Sequence, residues 1–194
     1  MSRAVYLTHP QVRIDPATPV PDWGLSDIGR ARAAIAAAQG WTAGLSRIVA
    51  SAERKAVETA EILAAPRRLS VEIRPAMHEN DRSATGFLPP AEFETVADAF
   101  FAAPTRSVRG WERAVDAQAR IVAEVDAALA DHRAGDVAFV GHGGVGTLLW
   151  CALAGELIDR RYDQFAGGGC LFSFDIATRR VQGGWRRIED AEST

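Results

Sequence analysis

Three short apolar segments, each followed by a loop and then a helical pattern, constrain most strongly what this chain can fold into. Ala4–Thr8 (AVYLT), Arg47–Ser51 (RIVAS) and Asp136–Val140 (DVAFV) are too short for helices and contain β-branched or aromatic residues, so each predicts a buried strand. Between them the apolar residues recur at helical spacing. Ser26 can cap a helix presenting Ile28, Ala31, Ile35 and Ala38, stopped at Gly40. Lys55–Ala64 predicts a second helix ending before Pro66, and Pro89-Pro90 suits the first turn of a third that carries Phe93, Val96, Ala97, Phe100 and Phe101. Residues 109–133 read as one long helix, with Trp111, Val115, Ala119, Val122, Val125 and Leu129 on one face. Another helix starts at Gly143, directly after the third strand. Ser70–Arg74 alternates as an edge strand does, and residues 169–176 and 181–188 predict a closing hairpin around Ala177-Thr178. Strands alternating with helices imply an α/β fold, a mostly parallel sheet covered on both faces, in a single domain over residues 1–194.

Composition narrows the function classes. A formal net charge of −3 argues against nucleic acid as the main partner, because binding a phosphate backbone needs a basic excess. The two cysteines, Cys151 and Cys170, form neither a disulfide framework nor a metal-binding pair. Met1-Ser2-Arg3 runs straight into the first strand without an apolar leader, and no uncharged apolar stretch reaches the roughly 18 residues a membrane helix needs. The expected location is the cytoplasm, with no membrane partner.

Ligands of such sheets bind beyond the carboxyl ends of the strands. Three strand ends here carry chemistry: Thr8-His9-Pro10, Ser51-Ala52-Glu53-Arg54 and Gly141-His142-Gly143-Gly144. Two histidines and an arginine thus fall on one expected rim. The last segment also opens a helix, whose N-terminal amides favour an anion. The combination describes a phosphate pocket.

These segments resemble, in order, the motifs of the histidine phosphatase (phosphoglycerate mutase-like) superfamily. Leu7-Thr8-His9-Pro10 is similar to its R-H-G strand end with two substitutions. Leu25-Ser26-Asp27-Ile28-Gly29-Arg30-Ala31-Arg32-Ala33 resembles its L-(S/T)-x-x-G-x-x-Q-A helix start. Ser51–Ala60 is similar to S-x-x-x-R-x-x-x-T-A, with Arg54 taken as the arginine. Glu79 matches an acidic residue after the third strand, and Gly141–Gly144 matches (S/G)-H-G-G. The resemblance covers roughly residues 4–150. It implies a three-layer α/β/α sandwich and a metal-independent phosphohydrolase that needs no cofactor and acts on a small phosphorylated molecule. His9 would be the nucleophile and form a phosphohistidine. Arg54 and His142 would hold the phosphoryl oxygens, and Glu79 would be the general acid and base.

Two departures stand out. Thr8 replaces the family's arginine, and Pro10 replaces a glycine, removing a backbone donor. One lost charge-assisted hydrogen bond is worth roughly 1.5–3 kcal/mol, or about 10- to 150-fold in rate. Thr8, Arg13 and Gly143 complete the expected phosphate contacts, with Arg13 the positional candidate to replace the missing arginine and Arg82 a weaker one. The alternative function is a weakly active or inactive phospholigand-binding protein on the same fold.

Overall fold

The computed structural model describes residues 2–190. Six strands form one sheet: β1 (Arg3–Thr8), β2 (Leu45–Ala50), β3 (Val71–Ile73), β4 (Asp136–Gly141), β5 (Cys170–Asp175) and β6 (Arg186–Arg187), in the order β3-β2-β4-β1-β5-β6. The first four positions pair in parallel, and β5 and β6 run antiparallel along one side. The sheet is mixed and mostly parallel, as the alternation of strands and helices implies.

Helices α1 (Asp27–Ala38) and α2 (Arg54–Ala64) cover one face; α3 (Pro90–Ala102), α4 (Ala114–Ala130) and α5 (Gly143–Ala154) cover the other. The two-residue period of a strand explains how one segment serves both layers. Ala4 and Tyr6 of β1 pack with Phe100, Ile121 and Leu148, while Val5 and Leu7 pack with Ala36, Ala60 and Leu63. Phe139 and Ala138 of β4 divide in the same way.

Two expected elements are shorter than their apolar patterns. The helix expected over residues 109–133 begins only at Ala114, because Arg109 and Gly110 hold φ of 52° and 82°, outside helical space. Trp111 instead closes a turn onto the Val108 carbonyl and buries its ring against Phe93 and Phe100. The return strand of the closing hairpin makes one bridge, Val181 to Phe174, before Gly183 (φ 96°) breaks the ladder; pairing resumes at Arg186–Arg187. Among the described residues, no helix is long and apolar enough to cross a membrane.

Candidate active site

The parallel register brings three strand ends level. Thr8 pairs with Gly141 and Ala50 with Val140, so His9, Ser51 and His142 emerge side by side. The ladder continues one residue further, with His9 N–H donating to Gly141 O at 3.0 Å and Ser51 N–H to Val140 O at 3.0 Å. Tyr6 fixes the turn after β4: its hydroxyl donates to His142 O (3.2 Å) and accepts from His142 N (3.1 Å). Only glycine fits at position 141, because a Cβ there would collide with that hydroxyl.

The two imidazoles meet edge to face, with centroids 5.3 Å apart. His9 Nδ1 lies 2.8 Å from the Pro10 carbonyl, which can only accept. The proton of the neutral ring is therefore assigned to Nδ1, leaving Nε2 with a free lone pair. His142 is fully buried. Its Nε2 lies 2.9 Å from Ser51 Oγ and 3.5 Å from Glu53 Oε1, while its Nδ1 has no partner. Burial lowers both histidines from the usual 6.5 to about 4, so both rings are neutral near pH 7.

Glu79 reaches over the start of α5. Its carboxylate accepts from Gly144 N (3.1 Å) and Val145 N (2.9 Å), and a Cβ at position 144 would stand 2.7 Å from Glu79 Oε1, so glycine lets the carboxylate sit this close. Gly143, the first residue of the helix, is pressed by the Gln164 carboxamide. His9, Glu79, His142 and Gly143 are thus brought together.

Arg54 and Arg13 are not brought to them. Arg54 is largely exposed and pairs with Glu58 (Nε to Oε1, 2.8 Å). It lines a separate outer cleft of about 680 Å3 with Arg13, Arg30 and Asp22. The cation beside the histidines is the next residue. Lys55 is 2% exposed, donates to Val20 O at 2.8 Å and forms an ion pair with Glu53. The motif spacing contained this signal: the fifth position counted from Ser51 is Lys55. Sequence reasoning also passed over Glu53, whose carboxylate accepts Glu79 N–H at 2.9 Å. Burial raises Glu53, but the charges of His142 and Lys55 and the hydrogen bonds it accepts outweigh that and hold it at about 2. Arg82 stands further out, its guanidinium 4.9 Å from the Phe93 ring centre. It lines a cavity of about 660 Å3 that also reaches Glu53, Glu79, His78 and Phe87.

Thr8 is fully buried below this site. Its hydroxyl lies 2.6 Å from Gln164 Oε1 and 3.2 Å from Cys170 O, and accepts Cys170 N–H at 3.0 Å. Restoring an arginine there would force a long cation into closed packing. Thr8→Arg is expected to cost more than about 2 kcal/mol in urea unfolding and to bring no gain in catalysis. A stable variant with raised activity would show that the pocket floor can open.

Among the described residues, no group of three or more His, Cys, Asp or Glu side chains is arranged to hold a metal ion. A comparison with curated proteins finds no match. Among solved structures, a mycobacterial glucosyl-3-phosphoglycerate phosphatase bound to inorganic phosphate aligns with a TM-score of 0.79 at 24% identity, covering 98% of this chain and 100% of its own. Bacillus stearothermophilus YhfR aligns at 0.78 and 20% identity, with 100% of this chain and 98% of its own covered. The alpha-ribazole phosphatase from Shigella flexneri aligns at 0.71 and 16% identity, with 98% and 97% covered. The sequence pattern of the histidine phosphatase superfamily (branch 1) matches residues 12–188, beginning just beyond the altered Thr8-His9-Pro10 strand end. With paired histidines at the level ends of β1 and β4 and a family pattern over most of its length, the chain belongs to the histidine phosphatase superfamily.

Proposed function

We propose that the protein is a metal-independent phosphohydrolase that acts on a small phosphorylated molecule through a phosphohistidine on His9. The observation that carries this reading is the 2.8 Å contact of His9 Nδ1 with the Pro10 carbonyl, which assigns the tautomer. With Nδ1–H held by the Pro10 carbonyl and the ring neutral, Nε2 offers its lone pair beside His142 at the mouth of the sheet. That nitrogen attacks phosphorus, and the bond from phosphorus to the leaving oxygen breaks. Water then attacks the phosphohistidine, returning the electron pair to Nε2 and releasing phosphate.

Lys55, the Gln164 carboxamide and the α5 amides are the groups available to hold phosphoryl oxygens, joined by His142 Nδ1 when that nitrogen carries a proton. Glu79 is the candidate general acid. It must leave the Gly144 and Val145 amides to reach a leaving oxygen, a movement that would free both amides for the phosphoryl group. Glu79→Gln should therefore slow poor leaving groups more than good ones. The bound species is a small phosphorylated substrate or phosphate itself.

A second reading, a weakly active or inactive phospholigand-binding protein, is favoured by one observation. Lys55 is already neutralised by Glu53, and the family's first arginine is a threonine whose hydroxyl is engaged internally. Turnover of an aryl phosphate separates the two. Hydrolysis unaffected by EDTA is the expected result. Hydrolysis lost to EDTA and restored by a divalent ion would remove the proposed mechanism, and phosphate binding without turnover would select the second reading.

A further inference from the structure

Glu53 is an unusual neighbour for an anion site. It occupies the N-cap of α2 with its side chain 10% exposed, between Ser51 and Lys55. One carboxylate oxygen is paired with Lys55, so this buried cation carries a counter-charge before any ligand arrives. The other lies 3.5 Å from His142 Nε2 and accepts Glu79 N–H at 2.9 Å. In the neutral His142 ring the Glu53 carboxylate, which can only accept and stands 3.5 Å from Nε2, favours the proton on that nitrogen, with the Ser51 hydroxyl, able to accept or donate, beside it. Nδ1 is then a bare, buried acceptor without a partner, on the ring that meets His9. A phosphoryl oxygen is also an acceptor. The two cannot make a hydrogen bond unless a proton is added between them.

The surrounding charges do not supply the deficit. Facing His142 are Glu53 and Lys55 from the start of α2, Glu79 from the segment after β3, and neutral His9 from the end of β1. The Tyr6 hydroxyl bonds to its backbone, and Arg82 acts on His9 from the cavity wall. Lys55 and Arg82 are matched by Glu53 and Glu79, so a dianion would enter with little net positive charge to meet it.

Building on the phosphate pocket proposed above, we infer that the site takes up a phosphoryl dianion together with one proton, held on His142 Nδ1 with Glu53 as its counter-charge. Glu53 is thus a positioning residue that makes the pocket recognise a singly charged phosphoryl unit. The proton comes from solvent or from the phosphoryl oxygen of a monoanion. It rests on Nδ1, which donates to the phosphoryl oxygen while Nε2–H remains directed at Glu53. No bond to phosphorus changes in this step, and the proton leaves with phosphate.

Calorimetry of inorganic phosphate binding at about pH 8.5, in two buffers of different ionisation enthalpy, measures this directly. About one proton should be taken up per phosphate, and affinity should fall about tenfold per pH unit above phosphate's second ionisation. Glu53→Gln keeps the side-chain shape, removes the counter-charge of the imidazolium and leaves Lys55 free to meet the dianion. Uptake should drop to well under half a proton, and affinity at that pH should rise about tenfold or more. Wild-type binding without proton uptake overturns the inference without touching the phosphohydrolase reading, as does full uptake in Glu53→Gln. Proton-coupled binding with no phosphohistidine formed supports the inference and removes the catalytic reading. No phosphate binding between about pH 5 and 8.5 overturns both.

Discussion

His9→Ala is expected to lower kcat/KM for an aryl phosphate by at least about 10^4-fold, because removal of a covalent nucleophile abolishes the two-step route rather than weakening it. The fold should survive. The imidazole contributes no ladder bond, since the strand end is held by backbone bonds from His9 N to Gly141 O and from Gly169 N to His9 O. The same variant has a pH signature in stability. Burial lowers the folded-state pKa of His9 from 6.5 to about 4, so the unfolded chain binds more protons over that interval. The stability tied to the neutral ring is fully present above about pH 6.5 and is lost as pH falls toward 4, by on the order of 1 kcal/mol per pH unit. His142, lowered by burial in the same way, adds to this loss. Denaturant unfolding between those limits should show His9→Ala with a shallower acid loss than wild type. Wild-type rates in His9→Ala, or identical pH slopes, would contradict the placement of His9.

Lys55→Ala should damage stability and catalysis together. It removes the counter-charge of Glu53, whose side chain is mostly enclosed, and leaves the Val20 carbonyl with only the Trp23 N–H at 3.3 Å. Breaking a buried ion pair on one side costs about 3–5 kcal/mol, which corresponds to roughly 6–20 °C in Tm for a chain of this size. On the proposed mechanism, loss of a preorganised cation beside the phosphoryl group adds roughly a 10^2- to 10^3-fold fall in kcat. The double variant Lys55→Ala with Glu53→Ala should recover much of the stability, because no isolated charge remains inside, but none of the rate. Arg54→Ala is the control. Its exposed pair with Glu58 is worth less than about 1 kcal/mol, and its activity should stay within a few-fold of wild type. The reverse pattern, with Arg54→Ala inactive and Lys55→Ala active, would return the anchoring role to Arg54.

That contrast shows how far sequence reading reaches. The central strands are legible because AVYLT, RIVAS and DVAFV are compact apolar runs whose alternate residues feed two different layers. The histidines and Glu79 are legible because strand-end position and motif order are sequence properties. The choice between Arg54 and Lys55 is not legible from charge alone. Adjacent residues at a helix start point about 100° apart, so only one of them can face the strand ends. Setting the arginine of the S-x-x-x-R motif on the one arginine of the segment directs attention to position 54. Packing instead turns position 54 toward Glu58 and buries Lys55 under Val20. Glu53 is overlooked for a related reason: a carboxylate is rarely buried, and its role depends on a partner that only the fold supplies. The late start of α4 rests on left-handed backbone at Arg109 and Gly110, which the apolar periodicity through Trp111 conceals.

The central claim is that phosphoryl transfer passes through His9, and rapid quenching during turnover tests it most directly. Wild-type protein denatured in alkali within a few turnovers should carry one phosphoryl group on the peptide containing His9, stable to base and lost in acid as a phosphoramidate is. Glu79→Gln should accumulate no less of it with a good leaving group. Turnover that proceeds with no adduct on that peptide, or with an acid-stable ester elsewhere, would contradict the account.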